Sequence, residues 1–306
     1  MPASHGRAKE IADYSDKHGD EKTCEQYGIN NESVARYKRL AARPYVLAPA
    51  GDGKGPKVLI FDIETTPMLS WHWRCYKENI NPVQIVKHSH VLCWVAKWLG
   101  SDAIYFDSVK GDGEDDKRCC EELWTLCDEA DIVVAHNGQA FDMGTMNARW
   151  AYHGLNPPSP AKMADTLKIA RGVFNFPTNK LEGITRYFGI GSKKEHEGFR
   201  LWLKCMDGDP KAWKTMEEYN IEDVLILEEL YLRIRPWDKR HANVSLLYDD
   251  EKMRCVCCGS TDIKRMKKNA RTNVTVFPAY RCMSCGKPMR GRGRFAISEN
   301  TLANII

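Results

Sequence analysis

The stretch KVLIFDIETTP, residues 57–67, decides the fold of this chain. Its apolar, β-branched run predicts a central strand that is buried on both faces. Asp62 and Glu64 interrupt the run, and because they are two residues apart they lie on the same face of the strand. Two adjacent carboxylates without a partner would be severely destabilising in a core strand. A divalent cation between them removes that cost, so the pair predicts a metal site rather than a solvated strand end.

A second apolar strand, residues 132–135, leads into the sequence HNGQAFD at residues 136–142. The Asn-Gly pair indicates a turn, and Asp142 then stands at the start of a predicted helix that carries Met146 and Trp150. Taken alone, an aspartate at this position would only be expected to cap the helix.

A third acidic site lies in EEYNIEDVL, residues 217–225. Tyr219 and Asp223 are four residues apart and therefore share one face of a predicted helix, which continues with Leu227 and Leu230. Such a pair is an ordinary surface feature unless other acids lie opposite it.

In this order, the three motifs resemble those of the DEDD, or DnaQ-like, exonucleases. FDIETTP, HNGQAFD and YNIEDV are most similar to predicted exonucleases related to the proofreading domain of family B DNA polymerases, and the resemblance covers residues 57–237. The histidine subgroup would place His where this chain has Glu218, whereas Tyr219, four residues before Asp223, indicates the tyrosine subgroup. The resemblance implies an α/β, RNase H-like core with a mixed central sheet flanked by helices.

The resemblance also implies the chemistry of the site. The residues that would hold two Mg²⁺ or Mn²⁺ ions are Asp62, Glu64, Asp142 and Asp223. Tyr219 has a reference pKa near 10, so it is a poor general base at neutral pH and is expected to orient the attacking water. By resemblance, Thr65 would contact the terminal nucleotide and Asn137 the nearby strand. Asp165 occupies a family position that is structural rather than metal-ligating.

Two cysteine motifs lie in the C-terminal part of the sequence, CVCCGS at residues 255–260 and CMSCG at residues 282–286. Two CxxC pairs, each followed by Gly, resemble the knuckles of a zinc ribbon, and four thiolates suit one tetrahedral structural Zn²⁺. Cys257 leaves a second choice, but the Cys-x-x-Cys-Gly pattern favours four others as ligands: Cys255, Cys258, Cys282 and Cys285.

The first 43 residues have the 3–4 spacing of apolar side chains that predicts three short helices. Gly28 suits a positive φ, and Asn30 or Asn31 suits a helix cap. The pattern resembles a helix-turn-helix whose third helix would present Arg36, Lys38 and Arg39 to DNA. A small helical bundle with incidental charges is the alternative.

Two further features have ordinary explanations. Trp71, Trp73 and Tyr76 would stack on unpaired bases if they were exposed, but their alternation fits packing at least as well. The acidic run at residues 112–116 lacks the spacing of a calcium loop and is expected to be a solvated loop.

Bulk composition excludes several classes of protein. The 306 residues, 43% hydrophobic and 28% charged, indicate a globular protein of two or three domains. No stretch approaches the roughly 18 apolar residues of a membrane span, so no membrane partner is expected. Residues 1–20 lack the features of a signal peptide, and twelve cysteines without secretion favour a reducing, cytoplasmic location.

Charge is distributed unevenly along the chain. Residues 251–306 contain twelve Lys and Arg against three acids, a local charge of +9, which leaves −5 for residues 1–250. A basic segment behind an acidic body favours contact with nucleic acid through Arg290, Arg292 and Arg294. A solvated basic loop, or a ribbon that docks a protein, is the alternative.

The sequence therefore predicts five segments: a helix-turn-helix-like domain (1–43), a linker (44–56), an RNase H-like 3′–5′ exonuclease domain (57–240), a zinc ribbon (250–295) and a tail (296–306). The expected substrate is nucleic acid with single-stranded 3′ ends, DNA being favoured over RNA. One rival is an endonuclease of the transposase or integrase type, although such enzymes usually have a lone Asp on the first strand and end with Glu. The other rival is a non-catalytic DNA-binding regulator, against which the four acids argue.

Overall fold

The structure, a computed structural model, describes residues 5–41, 55–109, 115–191 and 197–296. The chain divides into two compact units. The first unit contains residues 57–231, and the second contains residues 232–306 together with residues 3–56. Most of the predicted linker and nearly all of the predicted tail lie outside the described ranges.

The regular elements of the described ranges follow the sequence pattern closely. The strands are β1 (Val58–Thr65), β2 (Leu69–Ser70), β3 (Ile85–Lys87), β4 (Val91–Trp98), β5 (Ile104–Ser108), β6 (Ile132–Ala135), β7 (Lys162–Asp165), β8 (Ile263–Arg265), β9 (Ala270–Arg271), β10 (Val276–Phe277), β11 (Ala279–Cys282) and β12 (Pro288–Arg290). The helices are α1 (His5–His18), α2 (Asp20–Tyr27), α3 (Asn31–Ala41), α4 (Lys117–Glu129), α5 (Asp142–Tyr152), α6 (Thr166–Val173), α7 (Leu181–Phe188), α8 (Phe199–Met206) and α9 (Pro210–Ile234). No helix within the described ranges has the length and apolar character that crossing a membrane requires.

A five-stranded sheet with the order β5-β4-β1-β6-β7 forms the centre of the first unit. Strand β1 pairs antiparallel with β4 and parallel with β6, so the sheet is mixed, as predicted. Strand β1 is the middle strand, which explains why its sequence is apolar on both faces.

The two faces of β1 are covered by different helices. Leu59, Phe61 and Ile63 belong to a buried cluster with Leu123 of α4 and Trp150 of α5. The opposite face carries Ile60, Asp62 and Glu64, since side chains alternate along a strand. There Cys93, the register partner of Glu64, packs in a cluster with Met216 and Tyr219 of α9. The acids of the first motif therefore face the helix that carries the third.

A buried ion pair fixes α9 on this face. The Nζ of Lys97 in β4 lies 2.8 Å from Oε1 of Glu228 in α9, and both side chains are almost fully buried. The same oxygen accepts a long hydrogen bond of 3.5 Å from the backbone N–H of Gly100. Any slide of the helix along the sheet would separate two buried charges, so the pair specifies the register of Asp223 against β1.

The three N-terminal helices form as predicted. Gly28 ends α2 with a φ of 62°, and the side chain of Asn30 accepts a hydrogen bond of 2.8 Å from Ser33 N–H at the start of α3. Ile11 and Tyr37 are buried against each other. Both the predicted glycine conformation and one of the two proposed caps are therefore confirmed.

Of the three residues of α3 that were predicted to contact DNA, the structure describes the side chain of Lys38 alone. Lys38 lies 2.9 Å from Asp20 and 3.4 Å from Asp16, so its charge is neutralised within the helical segment. The side chains of Arg36 and Arg39 lie outside what the structure describes.

The C-terminal part of the second unit is built from short strands. β11 is the middle strand of a three-stranded antiparallel sheet between β12 and β8, and β9 pairs with β10. Two turns, at residues 255–259 and 282–286, carry the cysteines. Such small sheets bury little apolar surface, so the turns must contribute to the stability of this segment.

We expect Lys97→Ala to destabilise the first unit by about 3–5 kcal/mol, because it leaves the Glu228 carboxylate buried without its cation. The measurement is the free energy of unfolding from urea titration. Lys57→Ala is the matched control: Lys57 pairs with Glu129 at the same 2.8 Å, but both side chains are about half exposed. That variant should lose at most about 1 kcal/mol. Equal losses in the two variants would contradict the role assigned to the buried pair.

Candidate active site

Three of the predicted carboxylates converge between β1 and α9. Asp62, Glu64 and Asp223 each offer a carboxylate oxygen, and these oxygens all lie within 4.8 Å of one another. Asp62 and Glu64 are half-buried, whereas Asp223 is buried. A β-bulge between Glu64 and Thr65 shifts the strand register at this point. Bulges bend a strand and redirect its side chains, and they are frequent beside active sites.

Asp142 lies next to this trio rather than within it. The pairing of β1 with β6 ends at Ile60 and Val134, and the N–H of Ile63 donates instead to Oδ1 of Asp142 at 3.3 Å. The acid is thereby tied to the backbone between Asp62 and Glu64. Its Oδ2 is buried and has no hydrogen-bond partner within the described structure.

The environment of Asp142 disfavours its charge. Burial, with a smaller contribution from Asp165, raises the pKa of Asp142 to about 7, although the N–H of Ile63 opposes the shift. A buried carboxylate with one unsatisfied oxygen is costly in a protein without a compensating cation. All four acids offer only oxygen donors, which suits Mg²⁺ or Mn²⁺.

Asn220 is a site residue that the sequence reasoning missed. Its side-chain Nδ2 donates to Oδ2 of Asp62 at 3.3 Å, and the residue is fully buried. It stands directly after Tyr219 and three residues before Asp223, so all three lie on neighbouring positions of one helix face. An amide between the two motif residues, on the helix face that they share, was the available signal.

Tyr219 is held against the carboxylates by packing. It is buried, and its ring meets that of Trp202 in α8 edge-on, with centroids 6.2 Å apart. Burial, followed by the nearby charges of Asp223 and Glu64, raises the pKa of Tyr219 well above its usual value. The phenol is therefore a protonated hydrogen-bond donor next to the acids.

Comparison with known proteins agrees with this topology. Residues 86–235 match the family model of the RNase H superfamily. The chain contains an RNase H superfamily domain. The match includes Asp142, Tyr219 and Asp223 but begins after β1, so the structure adds Asp62 and Glu64 to this RNase H domain.

Among solved structures, the chain is similar to the family B DNA polymerase from the hyperthermophilic archaeon Pyrobaculum calidifontis. The two are 17% identical with a TM-score of 0.45, over 60% of this chain and 25% of the polymerase chain. This chain therefore spans about a quarter of the polymerase's length. No curated protein sequence matches the chain.

Asp165 organises the loop that carries the second motif of the RNase H domain. Its carboxylate accepts hydrogen bonds from four backbone N–H groups at 3.0–3.3 Å. The donors are Asn137, Gln139, Leu167 and Lys168. Because it joins the loop before α5 to the start of α6, Asp165 has the structural role expected of it, and it holds the backbone that leads to Asp142.

The two predicted substrate contacts lie at strand ends of the RNase H domain. Thr65 is the last residue of β1 and follows the bulge. Asn137 follows β6 with a φ of 69°, a left-handed conformation that Asn tolerates better than most residues. Both are partly exposed, and their contact with a nucleotide stays a prediction.

The aromatic residues after the first motif are exposed, so the interpretation as ordinary packing is wrong. Trp71, Trp73 and Tyr76 are 74%, 94% and 84% exposed, on the segment that joins β2 to β3. The carboxylate of Glu78 accepts from the backbone N–H of Trp73 at 3.0 Å, and the Gln84 side chain donates to the Trp71 carbonyl at 2.8 Å. The backbone is thus fixed while the rings face solvent.

The expectation of a solvated acidic loop is wrong for Asp116. The side chain is buried and accepts from Arg149 at 2.6 and 2.8 Å, from His153 at 2.7 Å and from the Val91 N–H at 2.9 Å. Burial opposes its ionisation, but the hydrogen bonds from Arg149 and His153 outweigh it and lower the pKa of Asp116 to about 2. Cys120 lies close enough to complete a metal-like trio with Asp116 and His153. Because the Arg149 guanidinium donates to both carboxylate oxygens of Asp116, we interpret the trio as part of a structural ion pair and not as a metal site.

The four favoured cysteines form a second candidate metal centre. The sulfurs of Cys255, Cys258, Cys282 and Cys285 all lie within 4.8 Å of one another, with two pairs at 3.6 Å. Gly259 and Gly286, with φ of 74° and 79°, let each turn close after its second cysteine. Cys257 is buried beside the cluster but is not one of the four, so the sulfurs that lie together are those of the cysteines that the sequence pattern favours.

Proposed function

We propose that this protein is a metal-dependent 3′–5′ exonuclease that hydrolyses phosphodiester bonds, with DNA favoured and RNA as the alternative substrate. The observation that carries the proposal is the convergence of Asp62, Glu64 and Asp223, with Asp142 tied to the strand between the first two. The RNase H superfamily match supports a nuclease. So many carboxylates in one place serve no structural purpose without cations.

The donor set fits two Mg²⁺ or Mn²⁺ ions, held by Asp62, Glu64, Asp142 and Asp223. The unsatisfied buried oxygen of Asp142 is the strongest sign of fit, because an ion would supply the missing partner. When bound, the ions would lower the pKa of the attacking water and stabilise charge on the attacking and leaving oxygens.

The chain's own side chains position the reactants. The partial exposure of Asp62 and Glu64 leaves the trio open to a phosphate from solvent. Asn220 holds one oxygen of Asp62 and so directs the other. The Tyr219 hydroxyl would donate to or accept from the attacking water and fix its approach, without taking its proton.

The 3′–5′ direction rests on the order and spacing of the motifs, which resemble those of DEDD exonucleases of the tyrosine subgroup. An endonuclease of the transposase or integrase type would be expected to have a lone Asp on β1 and a final Glu on the last helix. In this chain Glu64 faces the same side as Asp62, and the helix supplies Asp223 after Tyr219. A non-catalytic regulator would have no need of all four acids.

The exposed aromatic segment between β2 and β3 supports single-stranded substrates. It follows β1 and the short strand β2, and Arg74 and Lys77 are exposed beside Trp71, Trp73 and Tyr76. Aromatic rings stack on unpaired bases while cations attract the phosphates. Paired bases in a duplex do not expose their faces to such rings.

The four cysteines would hold one structural Zn²⁺, which four thiolates in a small domain suit well. The basic C-terminal segment is proposed to contact nucleic acid, and Arg292 and Arg294 are exposed there. The N-terminal helices remain a candidate DNA-binding module, although the pairing of Lys38 with Asp20 weakens that case.

The catalytic assignment predicts that Asp62→Asn slows cleavage by about 10³-fold or more, because a metal site contributes several kcal/mol to the transition state. Binding of substrate should change little, since the amide keeps the volume and the acceptor for Asn220. The assay incubates 5′-labelled and 3′-labelled single strands of DNA and RNA with Mg²⁺. The wild type should shorten strands stepwise from the 3′ end. Glu129→Gln, an exposed acid outside the trio, is the control and should cleave normally.

Two outcomes of that assay would contradict the proposal in different ways. A discrete internal cut by the wild type favours the endonuclease. Absence of any cleavage with Mg²⁺ or Mn²⁺ favours the regulator.

The water-orienting role predicts that Tyr219→Phe slows the chemical step by roughly 10- to 100-fold, the worth of one hydrogen bond at a charged site. Asp223→Ala should be slower still, because it removes a ligand. Single-turnover rates measured across Mg²⁺ concentrations separate the two effects. The Mg²⁺ concentration that gives half of the maximal rate should stay unchanged in Tyr219→Phe and rise in Asp223→Ala. Tyr152→Phe, which removes an exposed hydroxyl, is the control. Equal inactivity of Tyr219→Phe and Asp223→Ala would show that the tyrosine does more than orient water.

The cysteine cluster predicts one tightly held zinc ion per chain, lost in Cys282→Ser together with the order of residues 255–290. Structural zinc contributes folding free energy directly, so the loss of one ligand should unfold the segment. Elemental analysis of protein purified without chelators gives the stoichiometry. Cys257→Ser is the matched control, a buried neighbour that should keep the ion. Equal loss of zinc from both variants, or none in the wild type, would refute the ligand assignment.

A further inference from the structure

A basic cavity lies in the second unit, beside the second cysteine turn. It has a volume of about 640 Å³, within the roughly 300–1,000 Å³ typical of ligand sites. Four cations and one tryptophan line it, and none of the lining residues is acidic. They are Arg233, Lys239, Arg281, Lys287 and Trp237.

Two of the cations are held in place by the chain. Lys287 is nine-tenths buried and its Nζ donates to the backbone carbonyl of Asp238. An ammonium has three donors, so this one bond leaves capacity for an anion. Arg281 donates to the carbonyl of Gly286 at 2.9 Å across the turn. Lys287 is buried, whereas Arg233, Lys239 and Arg281 are exposed, and a lining with four cations and no acid makes the cavity electropositive.

Trp237 adds a second kind of contact. It ends a short 3₁₀ helix, Arg235–Trp237, and remains 62% exposed. The neighbouring Arg235 and Pro236 are buried, so the backbone that carries the ring is anchored. An exposed, anchored indole beside cations has the combination that binds single-stranded nucleic acid: a surface for stacking and charges for the backbone.

We propose that this cavity is a second nucleic-acid subsite, which holds a phosphate of a single strand with Arg281 and Lys287 and stacks an unpaired base on Trp237. The subsite takes from the proposed function only that the chain acts on nucleic acid. None of the four carboxylates lines it, and its residues belong to none of the motifs that predicted the active site. A free nucleotide offers the same chemistry as one unit of a strand, and competition separates the two.

The test measures binding to the full chain carrying Asp62→Asn, so that the strand is not degraded, with zinc content checked in every variant. Fluorescence anisotropy of a labelled oligothymidylate gives Kd across a range of NaCl concentrations. A matched abasic strand carries the same phosphates without bases. Inorganic phosphate, a thymidine mononucleotide and an acidic peptide serve as competitors.

We expect Trp237→Ala to weaken oligothymidylate binding by about 5- to 100-fold, the range for loss of one stacked base, and to leave the abasic strand unchanged. Trp237→Phe should restore most of the affinity. Arg281→Gln should weaken both strands and lower the salt slope of log K by about 0.7, the value for one phosphate contact on single strands. Lys267→Gln removes an exposed lysine outside the cavity and should leave both quantities unchanged.

Several results would overturn the proposal. Unchanged affinity and salt slope in Trp237→Ala and Arg281→Gln, with zinc retained, would show that the cavity is not a nucleic-acid site. An equal effect of Lys267→Gln would show a diffuse basic surface. Displacement by the mononucleotide at concentrations far below those of strand nucleotides would make the site one for free nucleotides. Displacement by an acidic peptide as effective as the strand would make it a protein-docking site.

The two proposals fail separately. A wild type that does not cleave, in a protein whose cavity variants lose strand binding, rejects the exonuclease and keeps the subsite. Normal cleavage by the wild type, together with cavity variants that bind strands as well as the wild type does, rejects the subsite and keeps the exonuclease.

Discussion

The fold of the RNase H domain is arranged around one electrostatic constraint: several carboxylates must be held close together despite their mutual repulsion. Asp62 and Glu64 share a face of the central strand, and Asp223 joins them with oxygens within 4.8 Å. Repulsion of this kind raises the free energy of any structure that does not place cations there. The surrounding contacts are therefore best understood as those that keep the acids in place until cations are bound. The amide of Asn220 on Asp62 and the N–H of Ile63 on Asp142 are two such contacts.

Two polar interactions away from the acids set the geometry of the site. The Lys97–Glu228 pair fixes how far α9 lies along the sheet, and the carboxylate of Asp165 fixes the loop that ends at Asp142. Apolar packing alone would tolerate small slides of a helix over a sheet, since it is non-directional. Buried charges and directional hydrogen bonds do not tolerate them, so these two interactions convert a stable fold into a specific one.

The sequence predicted those features that depend on neighbouring residues. The alternation in β1 placed Asp62 and Glu64 on one face, and the left-handed Gly28 and the cap at Asn30 were both visible locally. The repeated Cys-x-x-Cys-Gly pattern likewise selected the four sulfurs that the structure brings together.

The features that the sequence did not predict depend on pairs far apart in the chain. Lys97 and Glu228 are 131 residues apart, and Asp116 meets Arg149 across 33 residues. No periodicity relates such positions, so Asp116 was expected in a solvated loop and Asn220 received no role. The prediction for Trp73 was wrong for another reason. Alternating aromatic residues are compatible with packing or with exposure, and only the contacts of Glu78 with the backbone decide between the two.

The uneven charge along the chain follows from the same constraint as the active site. A domain that concentrates carboxylates repels phosphate strands over about one Debye length, roughly 10 Å at 0.1 M salt. The residues before Glu251 have a net charge of −5, so substrate capture must depend on cations placed elsewhere. The exposed Arg74 and Lys77 beside the aromatic segment offer one such place, and the cavity with Arg281 and Lys287 offers another. The proposed contact of the basic C-terminal segment with nucleic acid would therefore offset the repulsion that the carboxylates of the active site impose on a phosphate strand.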